Sequence, residues 1–222
     1  MSHGERRPEA LLIDLDGTLA DSHPALRSCF YAFLARRGIE ASSEDFDALD
    51  GVRLGEIPAR LQERFSIAEP LESLRREYEA GVMDAYAGIA PSRGAAELVR
   101  DAAAEGMQLV LVTSAPRAFA TAFLRAAGLD AAFTGVVSGE DVPGKPDPAP
   151  FKRALELARV PAKRALAIED APSGVSAARA AGVDVLGVAA EPARSDALRR
   201  AGASIVVPDL RAASQALALG RS

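Results

Sequence analysis

We expect this chain to fold as an α/β protein with a parallel sheet that is interrupted once by a block of helices. From residue 88 onwards, short apolar runs alternate with helical stretches, which is typical of βαβ units with right-handed crossovers. Between residues 20 and 87 the helical periodicity continues and no convincing strand occurs. The 222 residues, 49% of them hydrophobic, are sufficient for a substantial buried core.

The first predicted strand is Ala10–Ile13, a short apolar run that is followed by Gly17. A helix is predicted from Pro24 to Arg37, because Gly38 then ends the helical pattern. The pattern resumes from Ala41 to Tyr86.

The remainder of the chain is predicted to repeat a helix followed by a strand. The strands are short and nearly all apolar, as expected for strands that are covered on both faces. The predicted helices are 92–105, 117–127, 149–158, 173–181 and 193–201, and the strands that follow them are 107–113, 133–138, 165–169, 183–188 and 204–207.

We therefore divide the chain into two parts. Residues 1–19 and 88–222 are predicted to form a Rossmann-like core with helices on both faces of a parallel sheet. Residues 20–87 are predicted to form a small α-helical cap domain, inserted after the first strand.

The composition excludes several classes of protein. The net charge of −5 gives no electrostatic reason to expect nucleic acid or an anionic membrane as a partner. No apolar stretch is long enough for a transmembrane helix, and the polar start of the chain lacks the apolar core of a signal peptide. Cys29 is the one cysteine, which fits a reducing compartment. We expect a cytoplasmic protein with no obligate protein partner.

Acidic side chains are concentrated where the predicted strands end, which is the edge at which open parallel sheets bind ligands. The candidate carboxylates are Asp14, Asp16, Glu169 and Asp170. Crowded carboxylates repel one another, and a divalent cation removes that repulsion. Hard oxygen ligands favour Mg²⁺, and these loops contain no histidine or cysteine for zinc.

Two further segments at this edge favour an anion that faces the metal. Lys145 is one of three lysines in a chain with 23 arginines, and it would supply a compact point charge. Ser114 and Ala115 precede a helix predicted to start at Arg117, whose N-terminus offers free backbone N–H groups. Each feature alone is a common turn, cap or surface lysine, but together they follow successive strands at one edge.

These segments resemble the four motifs of the haloacid dehalogenase superfamily of phosphatases and phosphomutases. The matching stretches, in chain order, are LLIDLDGTLADS, LVTS, GKPDP and IEDAPSG. The helical insert is similar to the cap of the subgroup that contains phosphoglycolate phosphatase, sugar phosphatases and β-phosphoglucomutase. The resemblance covers nearly the whole chain.

The resemblance implies a role for each matched residue. Asp14 would be the nucleophile that forms an aspartyl phosphate, and Asp16 would be the general acid and then the general base. Ser114, Ala115 and Lys145 would hold the phosphate. Mg²⁺ would be bound by Asp14, Asp170, the backbone carbonyl of Asp16 and, directly or through water, Glu169.

The resemblance favours a phosphatase for small phosphorylated metabolites, such as sugar phosphates or phosphoglycolate. Candidate substrate contacts in the cap are His23, Arg53 and Glu56. A β-phosphoglucomutase-like mutase is the alternative, although Leu26 stands where that group carries a histidine and Arg53 is displaced from its arginine position.

Three other classes fit less well. Phosphonate hydrolases of this superfamily need a cap lysine, and residues 20–87 contain none. Signalling receiver domains are about half this length and lack a cap. A non-catalytic binding protein on the same fold would tolerate loss of a carboxylate, and all four are present.

Overall fold

The computed structural model describes residues 7–49, 52–86 and 88–220. Within these ranges, six parallel strands form a single sheet in the order β3-β2-β1-β4-β5-β6. The strands are β1 Ala10–Ile13, β2 Gln108–Val112, β3 Gly135–Val137, β4 Ala165–Glu169, β5 Asp184–Val188 and β6 Ile205–Val207. The predicted fold class is confirmed.

Helices cover both faces of the sheet, which explains why the strands are so uniformly apolar. Leu11 and Ile13 of β1 face one cluster of buried side chains, while Ala10 and Leu12 face the other. The helices after the insert are α5 Ala95–Ala104, α6 Arg117–Ala126, α7 Ala149–Ala158, α8 Pro172–Ala180, α9 Pro192–Ala201 and α10 Leu210–Ala216.

The first cluster includes side chains of α5, α6 and α10, and the second includes side chains of α7, α8 and α9. The sheet is therefore the middle layer of three. Its central strand β1 pairs with β2 on one side and with β4 on the other.

The segment between β1 and α5 is helical in its described parts. It contains α1 His23–Ala35, α2 Ser43–Asp47, α3 Ile57–Phe65 and α4 Leu71–Tyr86, together with a single 3₁₀ turn at Leu54–Glu56. Helix α1 packs on α4, where the rings of Phe33 and Tyr78 meet edge to face at 5.1 Å. We call α1 to α4 and the 3₁₀ turn the helical insert.

The helical insert lies within the predicted cap of residues 20–87, whose status as a separate domain stays a prediction. Residues 1–6, 50–51, 87 and 221–222, which include its boundary at residue 87 and both ends of the predicted core, lie outside the described residues.

One helix was not predicted. Helix α10 is short and rich in alanine, so its sequence carries little helical periodicity. It is stabilised by burial of Leu210 and Ala213 and by the Asp209 side chain, which accepts a hydrogen bond of 2.8 Å from the Ala212 N–H. A Cβ at Gly94 would overlap the backbone of Arg211, so the glycine allows α10 to approach the start of α5.

The strand predicted at 133–138 is limited to Gly135–Val137, and the helix predicted from residue 92 begins at Ala95. Such shifts at the ends of elements are small. Among the described residues, no helix combines the length and the apolarity that crossing a lipid bilayer requires.

Candidate active site

The carboxylates predicted to bind a metal meet at the carboxyl edge of the sheet. Asp14 directly follows β1, Glu169 ends the neighbouring β4, and Asp170 comes next. All three side chains are buried, and one oxygen of each lies within 4.8 Å of one oxygen of the other two. The pairing of β1 with β4 therefore turns two separate motifs into one carboxylate cluster.

Lys145 enters this cluster from the loop between β3 and α7. Its Nζ donates to Asp14 Oδ1 at 2.6 Å, to Glu169 Oε1 at 2.5 Å and to the backbone carbonyl of Val112 at 3.0 Å. The ammonium group is thus buried and held by three acceptors. It lies between the carboxylate of Asp14, which follows β1, and that of Glu169, which ends β4.

Burial dominates the electrostatics of this cluster. It raises the pKa of Asp14 to about 7, against the opposing effect of Lys145, with Asp170 adding to the rise. Burial also raises the pKa of Glu169. Burial alone would lower the pKa of Lys145, but Asp14 and Glu169 outweigh it and raise that pKa. Three buried carboxylates thus share this site with one buried lysine, and their mutual repulsion favours a further cation.

The cluster fits a hard divalent cation. Glu169 Oε2 is buried and has no hydrogen-bond partner among the described residues. An orphaned buried oxygen is costly, and together with Asp14 and Asp170 it forms the kind of all-oxygen donor set that Mg²⁺ prefers. A Cβ at Gly174 would overlap the Glu169 carboxylate, so this glycine lets α8 begin against the cluster.

Asp16 lies beside the cluster and turns its carboxylate towards the helical insert. The Tyr86 hydroxyl, at the end of α4, donates a short hydrogen bond to Asp16 Oδ1. Burial raises the pKa of Asp16, and the Tyr86 hydrogen bond partly opposes that rise. Asp16 therefore lies next to, rather than inside, the carboxylate cluster.

Asp170 is contacted from both parts of the molecule. His23 Nε2, at the start of α1, lies 3.0 Å from Asp170 Oδ2. Arg194 of α9 donates to the same oxygen at 3.1 Å and to the Asp170 backbone carbonyl at 2.8 Å. Thr18 Oγ1 lies 3.3 Å from Asp170 Oδ1.

Ser114 and Ala115 line the same cavity as the carboxylates. They follow β2, and α6 begins shortly after them at Arg117. The Ala115 N–H donates to Thr113 Oγ1 at 2.9 Å, so the Thr113 hydroxyl stabilises this turn.

The three candidate substrate contacts in the cap lie in two different cavities. His23 lines the main cavity with the carboxylates. Arg53 and Glu56 form an ion pair with each other and line a neighbouring cavity of about 380 Å³, which also touches Lys145 and Ser173.

Tyr86 and Arg194 were missed at the sequence level. Arg194 could have been found, because it lies shortly after β5 at the same carboxyl edge of the sheet. Tyr86 carries no comparable signal, since its contact with Asp16 depends on how α4 returns to the sheet.

Comparison with known proteins connects this geometry to a family. Residues 11–188 match the haloacid dehalogenase-like hydrolase family. The chain is 31% identical to the CbbY protein of Rhodobacter capsulatus over 93% of this chain and 95% of that protein. It is 32% identical to a phosphoglycolate phosphatase of Rhodospirillum rubrum over 85% of this chain and 84% of that protein.

Solved structures share the fold. The crystal structure of Rhodobacter sphaeroides CbbY with phosphate is 26% identical and has a TM-score of 0.76, covering 91% of this chain and 95% of that one. A Thermotoga maritima protein provisionally assigned as a β-phosphoglucomutase is 27% identical and has a TM-score of 0.75, covering 93% and 99%. The match over residues 11–188 includes both carboxylate motifs and the lysine between them, and the chain belongs to the haloacid dehalogenase-like hydrolase family.

Proposed function

We propose that this protein is a Mg²⁺-dependent phosphatase that hydrolyses small phosphate monoesters through an aspartyl phosphate on Asp14. The observation that carries the proposal is the buried cluster of Asp14, Glu169, Asp170 and Lys145 with Asp16 beside it. Relatives named as phosphatases of phosphoglycolate and of phosphorylated carbohydrates support the same reaction type. The partner is then a small phosphorylated metabolite, and we place the reaction in the cytoplasm.

In the first step, an Asp14 carboxylate oxygen attacks phosphorus, and a new P–O bond forms while the ester P–O bond breaks. Asp16, whose pKa is raised by burial, gives its proton to the departing alcohol oxygen. Lys145 lies against Asp14 and offsets negative charge on the transferring group.

In the second step, a water oxygen attacks phosphorus and the bond to Asp14 breaks. Asp16, now ionised, takes the proton of that water. Inorganic phosphate leaves, and both carboxyl groups return to their starting state.

The phosphate is held on its other side by this chain's backbone and side chains. Ser114 and Ala115 line the cavity just before α6, and a helix N-terminus favours bound anions. Mg²⁺ held by Asp14, Glu169, Asp170 and the Asp16 carbonyl would supply further positive charge against the phosphoryl oxygens.

The test is ³¹P NMR of the protein with Mg²⁺ and a panel of phosphoglycolate, hexose phosphates and glycerol phosphate. We expect growth of the free phosphate signal with the wild type, and its loss with Asp14→Asn. The same acid-to-amide change at exposed Asp130, which lies outside the cavity, is the matched control and should leave the rate unchanged. Turnover by folded Asp14→Asn close to the wild-type rate would contradict the proposal.

The likeness to the Thermotoga maritima structure favours a second candidate, a phosphosugar mutase. The same panel tests it with β-glucose 1-phosphate and a trace of the bisphosphate. Conversion to glucose 6-phosphate without free phosphate would establish a mutase.

A further inference from the structure

The main cavity continues beyond the carboxylates into the helical insert. It has a volume of about 710 Å³, which is large for the departing group of phosphoglycolate. Six side chains of the insert, five of them wholly apolar and the sixth a tyrosine, form part of its lining, and we call this part the apolar slot. The apolar slot is lined by Leu26, Phe46, Leu49, Ile57, Tyr78 and Val82.

One face of α4 connects the apolar slot with the reacting end of the cavity. Tyr78, Val82 and Tyr86 all line the cavity and recur every fourth residue, so they share one face of α4. The eight helical steps from Tyr78 to Tyr86 span about 12 Å at the rise of an α-helix. Tyr86 also donates to Asp16, so the slot begins where the alcohol oxygen would depart.

Two polar side chains that the insert contributes to the wall already have partners. His23 contacts Asp170 at 3.0 Å. Arg27 pairs with Asp47 at 3.3 Å. A carboxylate or a polyol in the apolar slot would give up hydrogen bonds to water and would meet, beside the Tyr78 hydroxyl, mainly hydrocarbon side chains. A hydrocarbon has no hydrogen bonds to water to give up.

We propose that the apolar slot binds the alcohol portion of the substrate, and that this portion is an extended aliphatic or aromatic group. The proposal rests on the proposed function, because the phosphate must lie at Asp14 for the alcohol to enter the slot. It names a class of phosphate monoester that differs from those in the relatives' names. Apolar burial along α4 would supply binding energy remote from the reacting atoms.

Binding without turnover tests the apolar slot directly. Methyl-, butyl- and octylphosphonate cannot be hydrolysed at an ester bond, and their affinity in the presence of Mg²⁺ can be measured by titration calorimetry. We expect the dissociation constant to fall about two- to fourfold per methylene that becomes buried. A dissociation constant that stays constant along the series would overturn the proposal, whether or not the protein is a phosphatase.

Variants of the slot's lining test whether the gain in affinity with alkyl chain length arises in the apolar slot. Leu26→Gln and Ile57→Gln place an amide on two walls of the slot, and both side chains are only partly buried, so the fold should persist. We expect each to weaken octylphosphonate at least tenfold while methylphosphonate binds as before. Met83→Gln is the matched control, because Met83 is 46% exposed on α4 and lies outside the cavity lining. Equal losses for both ligands, or no loss, would contradict the assignment.

Turnover then separates this proposal from the proposed function. Octyl phosphate and naphthyl phosphate are compared with phosphoglycolate and glucose 6-phosphate at equal Mg²⁺. We expect kcat/KM at least tenfold higher for the apolar esters. A preference for the polar esters would overturn the substrate class and leave the phosphatase intact. If no ester is hydrolysed, the proposed phosphatase function is contradicted. The phosphonate series still shows whether the slot binds apolar groups.

Discussion

At the scale of single residues, Tyr86 is the side chain through which the helical insert touches the proposed acid–base group. Its hydroxyl donates to Asp16, and this bond lowers a pKa that burial otherwise raises. The tyrosine thereby stabilises the ionised carboxylate and fixes its orientation.

Tyr86→Phe keeps the ring and removes the hydroxyl. We expect kcat to fall about tenfold and the pKa of Asp16 to rise. Since the first step needs protonated Asp16, the alkaline limb of kcat/KM should move to higher pH. Tyr31→Phe, on α1 and outside the cavity lining, is the control. A lower kcat with an unmoved alkaline limb would show that Tyr86 acts on packing alone.

Gly174 tests how closely α8 must approach the carboxylate cluster. An alanine Cβ there would overlap the Glu169 carboxylate, so either Glu169 or the helix must shift. We expect Gly174→Ala to weaken Mg²⁺ binding ten- to a hundredfold and to lower the free energy of unfolding by about 1–3 kcal/mol.

The control for this substitution is Gly55→Ala. A Cβ at Gly55 would meet no atom within 4 Å, and the residue lies in the 3₁₀ turn of the insert. Calorimetry with Mg²⁺ checks both variants, and equal Mg²⁺ affinities would refute the close-approach explanation.

The sequence allowed the central site residues to be predicted because each lies at the carboxyl end of a predicted buried strand or in the loop that follows it. Asp14, Ser114, Lys145, Glu169 and Asp170 all lie at the predicted edge. Their catalytic, phosphate-binding and metal-binding roles stay predictions. Arg53 and Glu56 could not be separated from His23 in advance, because all three are polar residues of the insert, and how the insert packs is not encoded locally.

At the scale of elements, an ion-pair network joins the residues just after α1 to the middle of α4 and to the loop before it. Arg37, with a side chain 10% exposed, donates to Glu69 and Glu77 at 2.6 Å each. Its guanidinium also lies 4.0 Å from the centre of the Phe33 ring. The side chain of the neighbouring Arg36 is 61% exposed and pairs with Glu77 at 2.7 Å.

We expect Arg37→Ala to destabilise the helical insert by about 2–3 kcal/mol, because it leaves two carboxylates with less compensation in a partly desolvated site. Arg36→Ala is the matched control and should cost at most about 0.5 kcal/mol, as for other exposed pairs. Hydrogen exchange of α1 and α4 measures both. Equal loss of protection in the two variants would contradict the role given to the buried network.

Helix periodicity predicted the helical character of the insert, since its apolar residues recur on one side of α1 and α4. It could not predict α10, whose seven residues are stabilised by burial beside α5 rather than by their own propensity.

At the scale of the whole molecule, the strand order places β1 between β2 and β4. Side chains from distant parts of the chain therefore share one cavity. Alternation of helices and strands predicted the parallel sheet. The contact between Tyr86, at the end of α4, and Asp16 could not be predicted, because it depends on how the insert packs against the core.

The charge balance of that site makes metal binding depend on pH. In the metal-free protein, burial raises the pKa of Asp14 from 3.8 to about 7. The folded state therefore loses stability from this group as pH rises from 3.8 towards 7, because the carboxyl ionises in the unfolded chain while it keeps its proton in the folded one. In the proposed site Mg²⁺ would bind the ionised form, so binding would release a proton below pH 7.

We expect the Mg²⁺ dissociation constant to be about tenfold lower at pH 8 than at pH 6, following the ionised fraction of Asp14. Titration calorimetry in two buffers of different ionisation enthalpy would also detect the released proton. An affinity that is the same at both pH values, with no proton release, would contradict the raised pKa.

The most direct test of the central claim is to look for the phosphoryl group on Asp14. The protein is mixed with Mg²⁺ and a substrate from the panel that it hydrolyses, quenched in acid within one turnover, digested and analysed by mass spectrometry. We expect one added phosphoryl group on the peptide that contains Asp14, and none in Asp14→Asn. A phosphoryl group on another residue, or Mg²⁺-dependent turnover that persists in Asp14→Asn, would contradict the account.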